Sequence, residues 1–205
     1  MKNKSNFECY VDRVSRTLLN IAKLLRKFKS EIDRIDKKSF GVLSDYDIKQ
    51  RLGELFDSPI ESEDIQPCSV DLHLRYDLIN LDGDEFNLHN GDYILQPGEF
   101  ILGSTREYVT IPDDIVAQVD GKSSIGRYGI DIHKTAGWID ACFKGNITLE
   151  IKNDSDKPFR LSEGMPIAQI IFFTLTTPCE KGYGDSTRNN HYQDSEGTIP
   201  SKMEW

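Results

Sequence analysis

Residues 100–119 read FILGSTREYVTIPDDIVAQV, and this stretch sets the pattern that decides the fold. Apolar and polar side chains alternate through 100–103, 108–111 and 115–119. A period of two places successive side chains on opposite faces of a β-strand. The turn-forming residues 112–114, Pro-Asp-Asp, interrupt the alternation. The stretch therefore predicts successive short strands joined by tight connections.

The same alternation recurs on both sides of this stretch. It covers 70–74, 93–95, 147–151 and 167–173. Segments rich in Gly, Pro, Asn and Asp separate the strands, at 82–83, 90–91, 96–98, 144–146, 153–155 and 162–164. No strand–helix–strand rhythm is present, so a Rossmann-type sheet is not expected. Many short strands at this spacing are typical of a sandwich or a jelly roll, and the predicted fold class is mainly β.

Residues 10–38 show a helical period instead. Apolar side chains recur at alternating steps of three and four, an a/d heptad pattern over nearly four heptads: Val11, Val14, Leu18, Ile21, Leu25, Phe28, Ile32 and Ile35. Three interpretations remain open: an amphipathic helix packed on its own domain, a self-associating helix, and a basic helix on a membrane surface.

A second, shorter helix is expected after Gly41, which ends the heptad segment. Ser44 is a candidate N-cap, and Asp45 and Asp47 suit the positive end of a helix. Its buried stripe is predicted to comprise Ile48, Leu52 and Leu55.

The charge is unevenly distributed. Residues 1–40 hold eleven Lys and Arg against five Asp and Glu, a balance of +6, whereas the remainder holds fourteen against twenty-nine, a balance of −15. General nucleic-acid binding requires a basic surface, so no nucleic-acid partner is expected. A phosphate-bearing small ligand stays possible, because one local cluster of cations and backbone N–H groups suffices.

The chain lacks the sequence signals of membrane insertion and export. It has no apolar run near the ~20 residues of a membrane span and no signal-peptide core, so a cytoplasmic protein without a membrane partner is expected. The four cysteines, Cys9, Cys68, Cys142 and Cys179, lack C-x-x-C spacing. We interpret them as reduced thiols, neither a disulfide framework nor a zinc ligand set.

The chain is predicted to comprise three parts: a helical extension over 1–40, a β domain over 41–178 and a C-terminal segment over 179–205. Apolar content falls after Pro178, which is typical of a mobile tail. The tail is either disordered or a lid that closes over a ligand. Tyr183 and Tyr192 favour the lid, because aromatic rings can stack on a base.

Residues 120–150, DGKSSIGRYGIDIHKTAGWIDACFKGNITLE, carry the candidate chemistry. Gly121, Lys122, Ser123 and Ser124 offer small residues, hydroxyls and a cation, which suits a phosphate cradle. Arg127 either adds a bidentate contact or forms a surface ion pair.

Two acidic residues in this segment stand out. Asp140 lies in an apolar run that should be buried, where it is either satisfied by turn amides or accepts from a sugar hydroxyl or a water. Glu150 shares a strand face with Thr148 if Leu149 faces the core. That face is either solvent or a desolvated pocket, which would raise the pKa of Glu150 and suit proton transfer. Cys142 is interpreted as a buried structural thiol rather than a nucleophile.

These motifs resemble the dCTP deaminase branch of the dUTPase superfamily over residues 43–202. The matching segments are LSDYDI at 43–48, QPCSVDL at 66–72, QPGE at 96–99, GKSSIGR at 121–127, TAGWID at 135–140 through to Glu150, GMPIAQ at 164–169, and the Tyr183, Tyr192 and Gln193 pattern of the tail. The resemblance implies a distorted jelly-roll homotrimer with active sites between subunits, using Mg²⁺ held through substrate phosphates, with no direct protein ligand and no zinc.

The resemblance also implies residue roles. Glu150 matches the glutamate that activates water for attack on cytosine C4, and Ser123 and Arg127 match residues that position that water and the base. Asp140 matches the carboxylate that binds the 3′-hydroxyl and orients water for attack on the α-phosphorus. The implied substrate-binding residues are Lys122, Ser124, Ile125, Gly126, Ala136, Gly137, Thr148, Leu149, Gln169, Tyr183 and His191.

The pair Ala136-Gly137 resembles bifunctional members, which convert dCTP through dUTP to dUMP and pyrophosphate, and Gly137 would leave room for a water. Three positions depart from the family pattern: Lys122 stands where Arg is usual, His191 where Lys is usual and Ser195 where Gln is usual. The alternatives are a deaminase that releases dUTP, a dUTPase, and a nucleotide-sensing regulatory protein.

Overall fold

The computed structural model describes residues 14–15, 17–29 and 41–203. The chain divides into two units, Met1–Ser39 and Phe40–Trp205. In the first unit, 14–15 and 17–29 are helical, as the period predicts. The large apolar side chains of this helix are exposed: Val14, Leu18, Leu19, Ile21, Leu24, Leu25 and Phe28. Three heptad positions lie outside the described residues: Val11, Ile32 and Ile35.

In the second unit, the described residues form twelve strands, which confirms the mainly β prediction. The strands are β1 Ile65–Gln66, β2 Ser69–His73, β3 Asp77–Ile79, β4 Glu85–Asn87, β5 Tyr93–Leu95, β6 Phe100–Thr110, β7 Ile115–Gly121, β8 Ile130–Asp131, β9 Trp138–Ile139, β10 Lys144–Asn153, β11 Phe159–Leu161 and β12 Pro166–Thr174. One sheet has the order β1-β2-β12-β7-β9, a second has the order β4-β3-β6-β10-β8, and β5 pairs with β11.

The core draws on both five-stranded sheets. Ile170 and Phe172 on β12 and Leu149 and Ile151 on β10 belong to one buried cluster, and each is at most 1% exposed. Burying one such side chain contributes ~1.5–3 kcal/mol. The pairing register of β10 is therefore fixed, because a shift of one residue would turn Leu149 and Ile151 away from the core.

Helix α1 spans Asp45–Leu55 and confirms the predicted second helix. Ser44 Oγ accepts from the Asp47 N–H at 3.4 Å, and Asp47 Oδ2 accepts from the Ser44 N–H at 3.3 Å, which together form a capping box. Ile48 and Leu55 are fully buried. The remaining helices are short: α2 Ser123–Gly126 and the 3₁₀ turns Ser62–Asp64 and Leu88–Asn90. No helix among the described residues is long and apolar enough to cross a bilayer.

One strand is longer than its sequence pattern predicts. The polar residues 104–107 separate two predicted strands, yet β6 runs unbroken from Phe100 to Thr110. Glu107 is buried and its carboxylate accepts from the His73 N–H at 2.8 Å, and Thr105 Oγ1 donates to the Glu107 carbonyl at 2.9 Å. These partners satisfy the polar groups that would otherwise interrupt a buried strand.

A bulge in β10 shapes the face that carries the candidate site. The register between β10 and β6 shifts between Asn146 and Thr148. The Asn146 amide donates to the carbonyls of Thr105 and Glu107 at 3.0 and 3.1 Å, which fixes the bulge. Beyond it, Leu149 points into the core, so Thr148 and Glu150 share the opposite face, as predicted.

The C-terminal segment, residues 179–203, lies along the first half of β10. The Asn146 N–H donates to the Ser195 carbonyl at 2.9 Å, and the Ile199 N–H donates to Thr148 Oγ1 at 3.1 Å. The Thr198 N–H donates to Asp77 Oδ2 at 2.6 Å. The segment therefore covers the outer face of the strand that carries Glu150.

Candidate functional site

A cleft with a volume of about 990 Å³ lies between β10 and the C-terminal segment. Five of the predicted site residues line it: Ala136, Asp140, Thr148, Glu150 and Tyr183. Its volume is at the upper end of the usual range for small-molecule sites, roughly 300–1,000 Å³. Fold and register thus bring together residues from β10, from the segments before and after β9, and from the C-terminal segment.

Glu150 is held on the cleft wall by backbone contacts. Its N–H donates to the Ile132 carbonyl at 3.0 Å, and its Oε2 accepts from the Lys134 N–H at 2.7 Å. Since this bond uses Oε2, Oε1 is available to accept a proton from a ligand or a water. The side chain is half-buried and lines the cleft. The desolvated environment proposed for this face stays a prediction.

The charge of Lys134 is directed to other partners. Its ammonium forms ion pairs with Asp131 at 2.9 Å and Asp154 at 3.2 Å. Hydrogen bonds to these two carboxylates raise the pKa of Lys134. Glu150 is therefore approached by an amide dipole of Lys134, while the lysine cation is engaged by Asp131 and Asp154.

Asp140 lies at the edge of the cleft and is exposed, so the prediction that it is buried was wrong. It follows β9, where Ile139 pairs with Ala117 and packs into the core. The next side chain along an extended chain points the opposite way. Asp140 also borders a smaller pocket of about 310 Å³, which Lys181 and Arg188 line. It can therefore accept hydrogen bonds from a ligand without the cost of burial.

Gly137 permits a close backbone approach beside Ala136. A Cβ at this position would lie 2.7 Å from the Val119 carbonyl oxygen and 3.2 Å from the His133 ring. The Val119 N–H donates to the Gly137 carbonyl at 2.7 Å. Glycine therefore lets this loop dock against the end of β7; its role in leaving room for a water stays a prediction.

The predicted phosphate cradle lies apart from the cleft. We call Lys122–Arg127, with Gln169, the α2 group. Ser123, Ser124, Gly126 and Arg127 are exposed, and Ile125 is buried beneath them. Lys122 forms an ion pair with Asp71, and Gln169 bonds to the Gly121 carbonyl at 3.3 Å. None of the α2 group is among the described residues that line the cleft.

Three other predicted positions contribute differently. The Leu149 side chain is 1% exposed, so only its backbone can face a ligand. His191 is exposed, does not line the cleft, and accepts through its carbonyl from Lys202 Nζ at 2.7 Å. Ser195 is buried, and its hydroxyl donates to the Tyr192 carbonyl at 2.6 Å.

Sequence reasoning missed three contributors to the cleft. Trp138 is 56% exposed and lines it, Asn146 anchors both β6 and the tail, and Asp77 fixes Thr198. Trp138 carried a signal, since an aromatic residue stood beside two candidate residues. Asn146 and Asp77 carried none, because their partners are distant in sequence.

Comparison with known proteins supports the resemblance. The family model described as dCTP deaminase-like matches residues 42–175. A Methanosphaera stadtmanae protein named "dCTP deaminase, dUMP-forming" is 42% identical over 185 residues, which cover 80% of this chain and 94% of the relative. A Haloarcula marismortui protein named "dCTP deaminase" is 39% identical over 186 residues, with 80% and 95% covered.

A solved structure shares the fold. The 2′-deoxycytidine 5′-triphosphate deaminase from Agrobacterium tumefaciens superposes with a TM-score of 0.59 at 22% identity. The match covers 67% of this chain and half of that chain. At this identity the likeness supports the jelly-roll type of fold and nothing finer.

Proposed function

Because this chain belongs to the dCTP deaminase-like family, we propose that it converts dCTP and two waters to dUMP, pyrophosphate and ammonia. The observation that carries the proposal is that Glu150 and Asp140 line the same cleft. A nucleotide deaminase with a diphosphatase step needs a proton carrier beside the base and an acceptor beside the sugar and the α-phosphate. One cleft lined by both carboxylates offers the two groups to a single ligand.

Glu150 is the proposed proton carrier. With Oε2 held by the Lys134 N–H at 2.7 Å, the carboxylate keeps one orientation. Oε1 takes a proton from water as the oxygen attacks cytosine C4 and passes it to the departing ammonia, while the remaining hydroxyl proton moves to N3 as C4 becomes a carbonyl. Thr148, on the same strand face, is the residue proposed to contact the edge of the base.

Asp140 is the proposed acceptor for the deoxyribose 3′-hydroxyl. Its exposed position at the junction of the cleft and the smaller pocket suits a ligand that extends into both. In the second step it would orient a water for attack on the α-phosphorus, with pyrophosphate as leaving group. Lys181 and Arg188 in the adjoining pocket supply positive charge near such phosphates.

We propose that a neighbouring copy of the chain completes the site. Ser123 and Arg127 are exposed on their own chain and do not line its cleft. If they position the water and the base, they must reach the cleft of another copy. A homotrimer with sites between subunits meets this requirement, as the family resemblance implies.

We propose that Mg²⁺ arrives with the triphosphate. Among the described residues no group of three or more His, Cys, Asp or Glu side chains is arranged to hold a metal. Isolated carboxylates beside a pocket that Lys181 and Arg188 line fit a metal held mainly through phosphate oxygens. When bound, Mg²⁺ would neutralise charge on the leaving pyrophosphate.

A product assay tests the proposal. The chain is incubated with dCTP and Mg²⁺, and ammonia, dUTP, dUMP and pyrophosphate are separated. Equal amounts of ammonia, dUMP and pyrophosphate support the coupled reaction. Accumulation of dUTP favours the second candidate, a deaminase that stops there, which the name of the Haloarcula relative supports. Cleavage of dUTP without turnover of dCTP, or binding without product, rejects both.

A further inference from the structure

Two cysteine side chains meet beside the cleft. Cys142 lies two residues after Asp140, and Cys179 begins the C-terminal segment, 37 residues away along the chain. Their Sγ atoms are 3.9 Å apart, and both residues are half-buried. Neither side chain has a part in the proposed reaction, so their proximity needs a separate explanation.

The same connection between β6 and β7 holds both backbones. The Cys142 N–H donates to the Ile111 carbonyl at 3.0 Å, and the Cys179 N–H donates to the Asp113 carbonyl at 2.9 Å. The two anchor carbonyls are two residues apart. The distance between the cysteines is therefore set by short, local geometry and does not depend on mobile parts of the chain.

Cys142 occupies a conformation that disfavours any side chain. Its φ is +70°, in the left-handed region that glycine adopts most readily. Among the described non-glycine residues only Asp194 shares this feature. A Cβ on Gly182 would collide with the Cys142 sulfur, so Gly182 leaves the space that this thiol fills. Strained backbone conformations of this kind are found mostly at functional positions, so we infer a functional role for the Cys142 thiol.

We propose that Cys142 and Cys179 are an oxidisable pair that forms a reversible intrachain disulfide and so ties the C-terminal segment to the cleft wall. The oxidant is a small peroxide or a low-molecular-weight disulfide. Bond formation brings the sulfurs from 3.9 Å to about 2.05 Å, a short movement. This adds to the expectation of reduced thiols, which describes the resting state.

With a peroxide as oxidant, the disulfide forms in two steps. Both cysteines are half-buried, but Cys179 borders the smaller pocket with Lys181 and Arg188, so we assign the first step to its sulfur. Its thiolate attacks one peroxide oxygen, the O–O bond breaks, and the other oxygen takes up the proton released by the Cys179 thiol and leaves as water, which gives a sulfenic acid. The Cys142 sulfur then attacks the Cys179 sulfur, the S–S bond forms, and the hydroxyl leaves as water with the proton of the Cys142 thiol. Two electrons pass from the two sulfurs to the peroxide.

The disulfide would restrict the part of the tail that covers the cleft. Tyr183 follows Cys179 by four residues, lines the cleft, and donates its N–H to the Ala141 carbonyl at 2.8 Å. Ala141 precedes Cys142, so the new bond reinforces a contact already present. Slower nucleotide exchange is expected to follow; this last effect rests on the proposed function.

The experiment counts thiols in a background that isolates the pair. In the full chain carrying Cys9→Ser and Cys68→Ser, two thiols should react with Ellman's reagent before oxidation. After treatment with hydrogen peroxide or oxidised glutathione none should react, and dithiothreitol should restore both. Peptide mapping without reductant should find residues 142 and 179 linked within one chain. Adding Cys142→Ser or Cys179→Ser to the background should abolish the linked peptide.

Trypsin cleavage at Lys181 and Arg188 gives a readout that needs no turnover. Oxidation of the background variant should slow this cleavage by about tenfold or more, because closing a loop restricts local opening. Two thiols that persist under oxidation, links between chains, or sulfinic acid without linkage would overturn the proposal. If the disulfide forms but leaves both trypsin cleavage and dCTP turnover unchanged, the proposal that it ties the C-terminal segment to the cleft wall is wrong. If dCTP is never turned over but the linked peptide forms, the proposed function fails and the pair stands.

Discussion

The backbone N–H of Lys134 donates to Glu150 Oε2 at 2.7 Å, across sixteen residues of sequence. This bond fixes the orientation of the carboxylate from outside its own strand. The Lys134 side chain is engaged by Asp131 and Asp154. The donor that contacts Glu150 is therefore a neutral backbone amide, while the Lys134 ammonium is paired with two other carboxylates.

Glu150→Gln should remove ammonia release, with a loss of at least about a hundredfold in rate, because the amide cannot carry a proton. Nucleotide binding should persist, since the size of the side chain is kept. Ammonia is measured with a coupled assay and binding by calorimetry. Glu61→Gln, on an exposed residue away from the cleft, is the matched control and should leave the rate unchanged. Robust deamination by Glu150→Gln would remove Glu150 from the mechanism.

Asp140→Asn should impair pyrophosphate release more than ammonia release, because the proposed diphosphatase step needs the carboxylate to orient water. A rise in KM for dCTP is expected as well, since a sugar contact weakens. Both products are followed in one time course. Asp156→Asn, at an exposed residue outside the cleft, should change neither product. Equal loss of both products would argue for a purely binding role.

Asp77→Ala should loosen the C-terminal segment. Asp77 accepts from the Thr198 N–H at 2.6 Å and from the Thr198 hydroxyl through its carbonyl at 2.7 Å. A hydrogen bond to a charged group contributes ~1.5–3 kcal/mol, so the closed population of the segment should fall by roughly tenfold or more. Hydrogen exchange of residues 192–199 measures this. Asp82→Ala, at an exposed turn residue, should leave exchange unchanged.

Gly137→Ala should destabilise the fold by roughly 1–3 kcal/mol, because the new methyl would lie 2.7 Å from the Val119 carbonyl oxygen. Gly53→Ala offers a contrast within the same chain. Gly53 lies in α1 with no atom within 4 Å of its would-be Cβ, so alanine there should stabilise the helix by up to ~1 kcal/mol. Urea unfolding at neutral pH compares the two. A neutral Gly137→Ala would show that the loop can move away from β7.

Cys142 should make stability depend on pH in the alkaline range. Burial, with a hydrogen bond to Cys179, raises the pKa of the Cys142 thiol from 9.0 to about 11. The folded state therefore holds this proton more tightly than the unfolded state does. Its stabilising effect is full below pH 9 and is lost as the pH rises towards 11.

Urea unfolding under reducing conditions checks this expectation at pH 8 and pH 10.5. The free-energy difference between the parent chain and Cys142→Ala should become less favourable to the parent at the higher pH. A difference that stays constant would show that the thiol titrates alike in both states.

The strand pattern could be predicted from the sequence because the alternation in most of β10 and β12 reflects a face that packs into the core. Helix α1 could be predicted because Ser44 and Asp47, which cap it, are only three residues apart in the sequence. The continuity of β6 was not readable. The polar residues in the middle of β6 form hydrogen bonds with His73 and other residues that are distant in sequence. A period of two in the sequence does not predict such partners.

The candidate site was readable only in part. Glu150 and Asp140 were chosen from their residue types and from the family resemblance, and they do share a cleft. Their roles, the homotrimer, the use of Mg²⁺ and the cytoplasmic location stay predictions. The proximity of Cys142 and Cys179 could not be predicted from the sequence. No rule of residue spacing relates two residues that are both held by the connection between β6 and β7.

Local sequence patterns were enough to predict the β class, the first helix of the β domain, the family, and the strand face that Glu150 shares with Thr148. The folded structure was needed to show that this face lines a cleft, that Asp140 is exposed, and that the α2 group does not line the cleft. The physical reason is that local periodicity fixes the direction of a side chain relative to its neighbours. What a side chain then meets depends on segments far along the chain.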